Sequence, residues 1–235
     1  MLTTLYKPFQ FWSEKGTIWI ISDPHFSDPE MVYLRKNYIG DEDQIKRINS
    51  KVGKNDTLII LGDIGNIECV KQLKGYKILI TGNHDSGSTN YIRVIKHIKN
   101  YDTKQDAIND LKAGIINVID EITPNCLYAG SYDNKLFDEV YEGPLFISEK
   151  LLLSHEPIQL QFAFNIHGHD HSNWSNELSD FNHLNVCAEH INYTPVNLTS
   201  LLKKGLCSNV KSIHRITTDT ATKRKNSRKE LKSEK

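Results

Sequence analysis

Residues 57–85 read TLIILGDIGNIECVKQLKGYKILITGNHD, and this stretch decides the fold. Two short apolar runs, Thr57 to Leu61 and Lys77 to Thr81, have the continuous apolar character of strands buried on both faces. Between them, Asn66 to Lys74 predicts a short helix that stops at Gly75. Strand, helix and strand in this order belong to an α/β fold with a largely parallel sheet. Each run also ends in a polar cluster: Gly62-Asp63 after the first, Gly82-Asn83-His84-Asp85 after the second.

The pattern extends in both directions. Upstream, Thr17 to Ser22 is a third buried strand, and GDEDQIKRINSKVGKND (40–56) predicts the helix that comes after it. Ile45, Ile48 and Val52 recur at helical spacing there, the start is acidic and Gly53 stops it. Downstream, Phe137 to Val140, Leu145 to Ile147 and Leu151 to Ser154 are separated by EGP and SEK turns and predict a partly antiparallel run. Asn165 to His167, Leu184 to Val186 and Pro195 to Leu198 are further short strands. The fold class expected is α/β, a four-layer α/β/β/α sandwich of two mixed β-sheets flanked by helices. Residues 1–16 read as an N-terminal extension, 17–210 as the domain, and 98–117 as a polar, partly helical surface insertion. Residues 211–235 read as a basic tail without an apolar face, expected to be disordered.

Composition sets outer bounds. The 235 residues carry 29 basic and 29 acidic side chains, and 38% are apolar, which fits one ordinary globular domain. The longest uninterrupted apolar runs have four residues, far short of the ~20 that a membrane span needs. The N-terminus has no basic stretch followed by an apolar block, and the four cysteines form no CxxC pair, so a cytoplasmic location with free thiols is expected. Residues 221–235 hold seven Lys or Arg against two Glu, so the remaining 220 residues are net negative. A body of that sign argues against a large nucleic-acid-binding face and leaves the tail as the one candidate nucleic-acid contact.

The chemistry lies just past the end of each strand. Asp23 and His25 come after the first, Gly62 and Asp63 after the second, and Asn83, His84 and Asp85 after the third. His155 comes after Leu151 to Ser154, and His169 and His171 after Asn165 to His167 in NIHGHDH. Singly, most of these have plain readings as a helix cap, a strand exit or a turn. HGHDH does not, because three histidines in five residues seldom solve a packing problem. Five polar clusters past the C-terminal ends of five strands share the edge where open α/β sheets collect ligands.

The ordered set Asp23-x-His25, Gly62-Asp63, Gly82-Asn83-His84-Asp85, His155 and Gly168-His169-x-His171 resembles the calcineurin-like metallophosphoesterase superfamily. The lead-in IWIISDPHF and the closing NVCAEHINYTPVNL are similar to small bacterial and phage-type phosphoesterases of that superfamily. The resemblance implies a site for two divalent metal ions, manganese first, with iron, zinc or nickel also suited to these ligands. It implies that Asp23, His25, Asp63 and His171 hold one ion and that Asp63, Asn83, His155 and His169 hold the other. His84 would donate a proton to the leaving oxygen, with Asp85 orienting it, during direct attack of a metal-bridging hydroxide. His167 matches no ligand position and reads as a supporting histidine. Related enzymes often carry another histidine shortly after the first block, where this chain has Asp28. Arg35 and Arg93 are candidates for gripping a phosphate oxygen, against a plainer reading as solvated helix charges. None of the cysteines fits a ligand position, and Cys187 reads as a small buried apolar residue.

The leading reading is a phosphodiesterase acting on a small phosphorylated substrate, in particular a nucleotide. Three others stay open: a nuclease using the basic tail, a phosphomonoesterase or protein phosphatase, and a catalytically silent scaffold. Oligomeric state is open as well.

Overall fold

The structure is a computed structural model. It describes every residue except 36, 86–94, 102, 116–117, 124–125, 133–135, 173–181, 215–216, 219 and 225–235. The chain divides into two compact units, one of residues Met1–Ser86 and Tyr141–Lys235, the other of Gly87–Val140.

In the first unit the chain forms β1 (Ile18–Ile21), α1 (Met31–Leu34), α2 (Asp41–Lys51), β2 (Thr57–Ile60), α3 (Ile67–Val70) and β3 (Tyr76–Ile80). In the second it forms β4 (Ile95–Tyr101), α4 (Lys104–Lys112), β5 (Val118–Thr123) and β6 (Cys126–Tyr132). Next come β7 (Glu139–Tyr141), β8 (Leu145–Ser148), β9 (Leu151–Leu153), β10 (Phe164–His167), β11 (His183–Asn185), β12 (Val196–Asn197) and α5 (Leu198–Lys203). No described helix is long and apolar enough to cross a membrane.

Two mixed sheets with flanking helices carry the first unit. One runs β12-β1-β2-β3-β7, with β1, β2 and β3 parallel and β12 antiparallel to β1. The other runs β11-β10-β9-β8, with the first three parallel and β8 antiparallel. Register places Ile20 opposite Ile59 and Ile59 opposite Ile78, so one face of the first sheet is a row of isoleucines. That row shares one buried cluster with Ile147, Leu151, Leu153, Phe164 and Ile166 of the second sheet. Alternate positions, Leu58, Ile60 and Leu79, are equally buried, as are Ile45 and Ile48 of α2 and Val70 of α3. Each fully buried isoleucine contributes roughly 1.5–3 kcal/mol over its exposed state. Apolar demand on both faces is why these strands read as continuous runs.

The N-terminal extension is part of this core. A 3-10 stretch at Lys7–Ser13 buries Trp12, whose carbonyl accepts a hydrogen bond from Thr57 Oγ1 at 2.7 Å. Two strand expectations change. The strand placed at Phe137 to Val140 lies at Glu139–Tyr141, and Thr81 N donates to Tyr141 O at 3.0 Å on the first sheet. The last strand stops at Asn197, because the Asn197 side chain accepts from Ser200 N and caps α5.

The second unit is an antiparallel sheet, β4-β6-β5, with α4 inserted between β4 and β5. The expected helix within 98–117 is α4, capped by Thr103 through Asp106 N. The strands around it were not expected. The described part of the basic tail carries helical turns at 213–214, 217–218 and 220–224.

Candidate metal centre

Parallel strands point their C-terminal ends the same way, so the segments after β1, β2 and β3 emerge at one edge. Those after β9, β10 and β11 do the same in the second sheet. The edges meet where Ser22 bridges Cys187, with Ser22 N donating to Val186 O and Ala188 N to Ser22 O, both at 2.9 Å. Glycine is required at the closest approaches. A Cβ on Gly168 would lie 2.1 Å from Asp23 Oδ2, and one on Gly62, already at φ +86°, would lie 2.5 Å from Gly82 N. Asp23, His25, Asp63 and His169 themselves sit in the left-handed region, with φ between 45° and 64°. Such conformations cost energy and concentrate where a ligand geometry must be met.

Three of the candidate ligand histidines have one ring nitrogen fixed by an acceptor. His25 Nδ1 lies 3.2 Å from Asp28 Oδ2, His155 Nδ1 2.8 Å from Leu61 O, and His171 Nδ1 2.5 Å from Glu189 Oε1. Each pairing puts a proton on Nδ1 and turns the Nε2 lone pair toward the centre. There the lone pairs meet acceptors, and that of His171 also meets Nη2 of Arg35. His25 Nε2 and His155 Nε2 lie 3.5 and 3.4 Å from the same oxygen, Asp63 Oδ2. His155 Nε2 also faces Asn83 Oδ1 at 2.8 Å and His169 Nδ1 at 3.0 Å. His171 Nε2 lies 3.3 Å from Asp23 Oδ1. One proton serves one of these acceptors at a time, whereas a divalent cation serves all of them.

Orphaned atoms make the same point. Asp23 Oδ1 and His25 Nε2 are buried without a hydrogen-bond partner among the described residues. Asp23 Oδ2, by contrast, accepts from His169 N at 2.9 Å and from Cys187 Sγ at 3.2 Å. Three trios, Asp23–His171–Cys187, Asp63–His155–His169 and Asp23–His25–Asp63, each bring their ligand atoms within 4.8 Å of one another, and with the Asn83 amide oxygen 2.8 Å from His155 Nε2 these donors suit divalent cations, Asp63 belonging to two of the trios.

Charge depends on this packing. Burial and the Arg35 charge push His25 below the usual histidine range. Burial alone would lower His171 too, but the neighbouring Asp23 and Glu189 carboxylates, the latter hydrogen-bonded to Nδ1, raise it to about 9. Burial would raise Asp23, yet His171 and His155 hold it below the usual carboxylate range. Cys187 is pushed far up by burial and by the Asp23 and Glu189 charges, which keeps it a thiol donor. That agrees with its sequence reading as a buried small residue.

The remaining expectations divide. His84 sits beside His25, ring centroids 5.5 Å apart, and its backbone N–H donates to Asp63 Oδ1 at 3.0 Å. Asp85, expected beside the His84 ring, is buried and accepts from three backbone N–H groups, those of Asp63, Ile64 and Gly82. It clamps two of the loops together. Arg35 is no solvated helix charge: it is buried, with Nη1 3.2 Å from Glu189 Oε2 and Nη2 2.7 Å from His171 Nε2. Arg93 lies outside the described residues. His167 is fully buried, with Nδ1 2.9 Å from Gly168 O. Asp28, noted only as a departure, is the carboxylate that orients His25. Glu189 was missed, although it lies past a strand end in LNVCAEH just as the other clusters do, and the same rule would have found it.

A model of the calcineurin-like phosphoesterase family matches residues 16–188. No curated protein matches the chain. Among solved structures, a protein of unknown function from Aquifex aeolicus aligns at 20% identity and a TM-score of 0.50, covering 80% of this chain and 98% of its own. The nuclease MPE of Pseudomonas putida aligns at 17% identity and a TM-score of 0.37, covering 66% and 61%. The likeness to the Aquifex protein is one of fold.

Proposed function

This chain belongs to the calcineurin-like phosphoesterase family, and on that premise we propose that it is a dimetal phosphodiesterase acting on a small nucleotide-type ester. Asp23, His25, Asp63 and His171 hold one cation, and Asp63, Asn83, His155 and His169 the other. The observation that carries the reading is Asp63 Oδ2, which faces His25 Nε2 and His155 Nε2 at 3.5 and 3.4 Å. The chemistry supplied by two bound cations is Lewis acidity, which lowers the pKa of a water and offsets charge on the phosphoryl oxygens.

The chain's own groups do the rest. Asp28, Leu61 O and Glu189 hold three imidazoles in the tautomer that presents Nε2. Arg35 stands on the His171 side, where a guanidinium can grip a non-bridging phosphate oxygen. His84 gives a proton to the leaving oxygen. In the balanced step, a water oxygen bonds to phosphorus and the phosphorus–oxygen bond to the leaving group breaks. The leaving oxygen takes the His84 proton, and the proton lost by water passes to solvent. No serine or cysteine nucleophile is required.

Metal-stripped protein, with and without added manganese, is assayed on bis-p-nitrophenyl phosphate and p-nitrophenyl phosphate beside Asn83→Ala and His169→Ala. Manganese-dependent turnover of the diester, abolished by both substitutions, is the expected result. Turnover of the monoester alone makes the enzyme a phosphatase. No turnover with two ions bound makes it a scaffold.

A further inference from the structure

A cavity of about 270 Å³ opens beside the centre, on the side of Asn83 and His155. Thr81 and Pro144 line it, together with Glu156 and Ile158 from the segment just past His155. That segment is held in shape from behind. Ser154 Oγ donates to Glu156 O at 2.6 Å, and Asn165 Nδ2 donates to Ser154 Oγ at 2.9 Å. Asn165 Oδ1 accepts from Ile158 N at 2.8 Å, and His183 Nε2 donates to Ile158 O at 3.2 Å. Ser154 and Asn165 are each 1% exposed and His183 is 7% exposed, so three buried polar side chains converge on one loop. A buried network satisfied in this way fixes a single conformation.

Charge narrows what can enter. Among the described residues that line the cavity, Glu156 is the one carboxylate and none is a lysine or arginine. The guanidinium of Arg35 lies against His171 and Glu189, outside that lining.

We propose, resting on the phosphoesterase reading above, that this cavity receives the uncharged, hydroxyl-bearing organic part of an ester with a single phosphate, a nucleoside or sugar, and disfavours one carrying a second phosphate. Thr81 and Glu156 offer a hydroxyl and a carboxylate to ring hydroxyls, while Pro144 and Ile158 offer apolar surface to the ring. A second phosphate beside Glu156, at the end of the cavity away from Asn83 and His155, meets a like charge with no lysine or arginine in the lining to offset it.

The test compares manganese-loaded wild type, Glu156→Lys and Ile158→Trp on a cyclic nucleoside monophosphate and on the same compound bearing one further phosphate. Wild type should favour the singly phosphorylated compound by about tenfold or more in kcat/KM, and E156K should bring the two near parity. I158W, which fills the cavity, should raise KM for both by about tenfold or more, with manganese affinity unchanged by calorimetry. A ratio that E156K does not move overturns the proposal, as does a wild-type KM in I158W. If wild type turns over no ester, the hydrolytic reading fails by itself. The cavity is then judged by calorimetric binding of a nucleoside monophosphate to the manganese-loaded protein: binding that I158W abolishes sustains the inference, and binding that is absent or survives I158W overturns it.

Discussion

The two sides of the centre are built from different supports. On the Asp23 side, His25 and His171 are oriented by carboxylates, Asp28 and Glu189, and Arg35 lies between Glu189 and His171. On the Asn83 side, His155 is oriented by the neutral carbonyl of Leu61, and the one carboxylate is the shared Asp63. A carboxylate behind an imidazole raises its basicity more than a carbonyl does, so the Asp23 side should bind its cation more tightly and compete harder with protons.

The largest effect tests what the sides share. Asp63→Asn should bring hydrolysis to background and leave calorimetry with neither binding event intact, whereas loss of one event alone would show that Asp63 serves a single side. His84→Ala, next to His25, should cost about 10²–10⁴-fold on esters with alkoxide leaving groups and much less on nitrophenyl esters. Equal losses on both would remove His84 as the donor. Glu189→Gln and Asp28→Asn should each weaken one binding event by about 10–100-fold and spare the other. If both events weaken together, the distinction between the sides is wrong.

The test that leaves the sequence untouched is a pH dependence. With His171 raised to about 9, a cation binding at Nε2 must displace its proton, so affinity on the Asp23 side should rise about tenfold per pH unit and level off near that value. In metal-stripped protein the sign reverses. A value raised from 6.5 to about 9 contributes stability that is complete below the lower figure and lost as pH rises through the upper one. Thermal melts of the stripped protein between those limits should fall with pH. A flat profile would show that Arg35, whose Nη2 also contacts His171 Nε2, already holds that imidazole neutral.

Range in sequence decides which features could be read from the residues alone. The strands after Thr17, Thr57 and Lys77 were legible because both faces are buried, so apolar runs carry their own signal. The clusters after them were legible because a strand end is a local feature. The partnership of Glu189 with Arg35 spans 154 residues and leaves no local trace. Asp28 was visible but uninterpretable, since its role depends on which nitrogen of His25 it faces. The strands of the second unit were missed because their apolar character is interrupted, as in VIDEIT and CLYAGSY.

The pairing of β1 also has a consequence for the nascent chain. Trp19 pairs with Leu58 on one side and with Asn197 on the other, and Ile18 N donates to Thr199 Oγ1, 181 residues further on. At a translation rate of about 5–20 residues per second, β1 waits on the order of ten to forty seconds for its second neighbour. During that interval one edge of an apolar strand lacks its partner, the kind of exposed edge that invites mispairing with another chain. Asp23 and His25 leave the ribosome well before Glu189. The candidate centre therefore closes only once Glu189 has emerged.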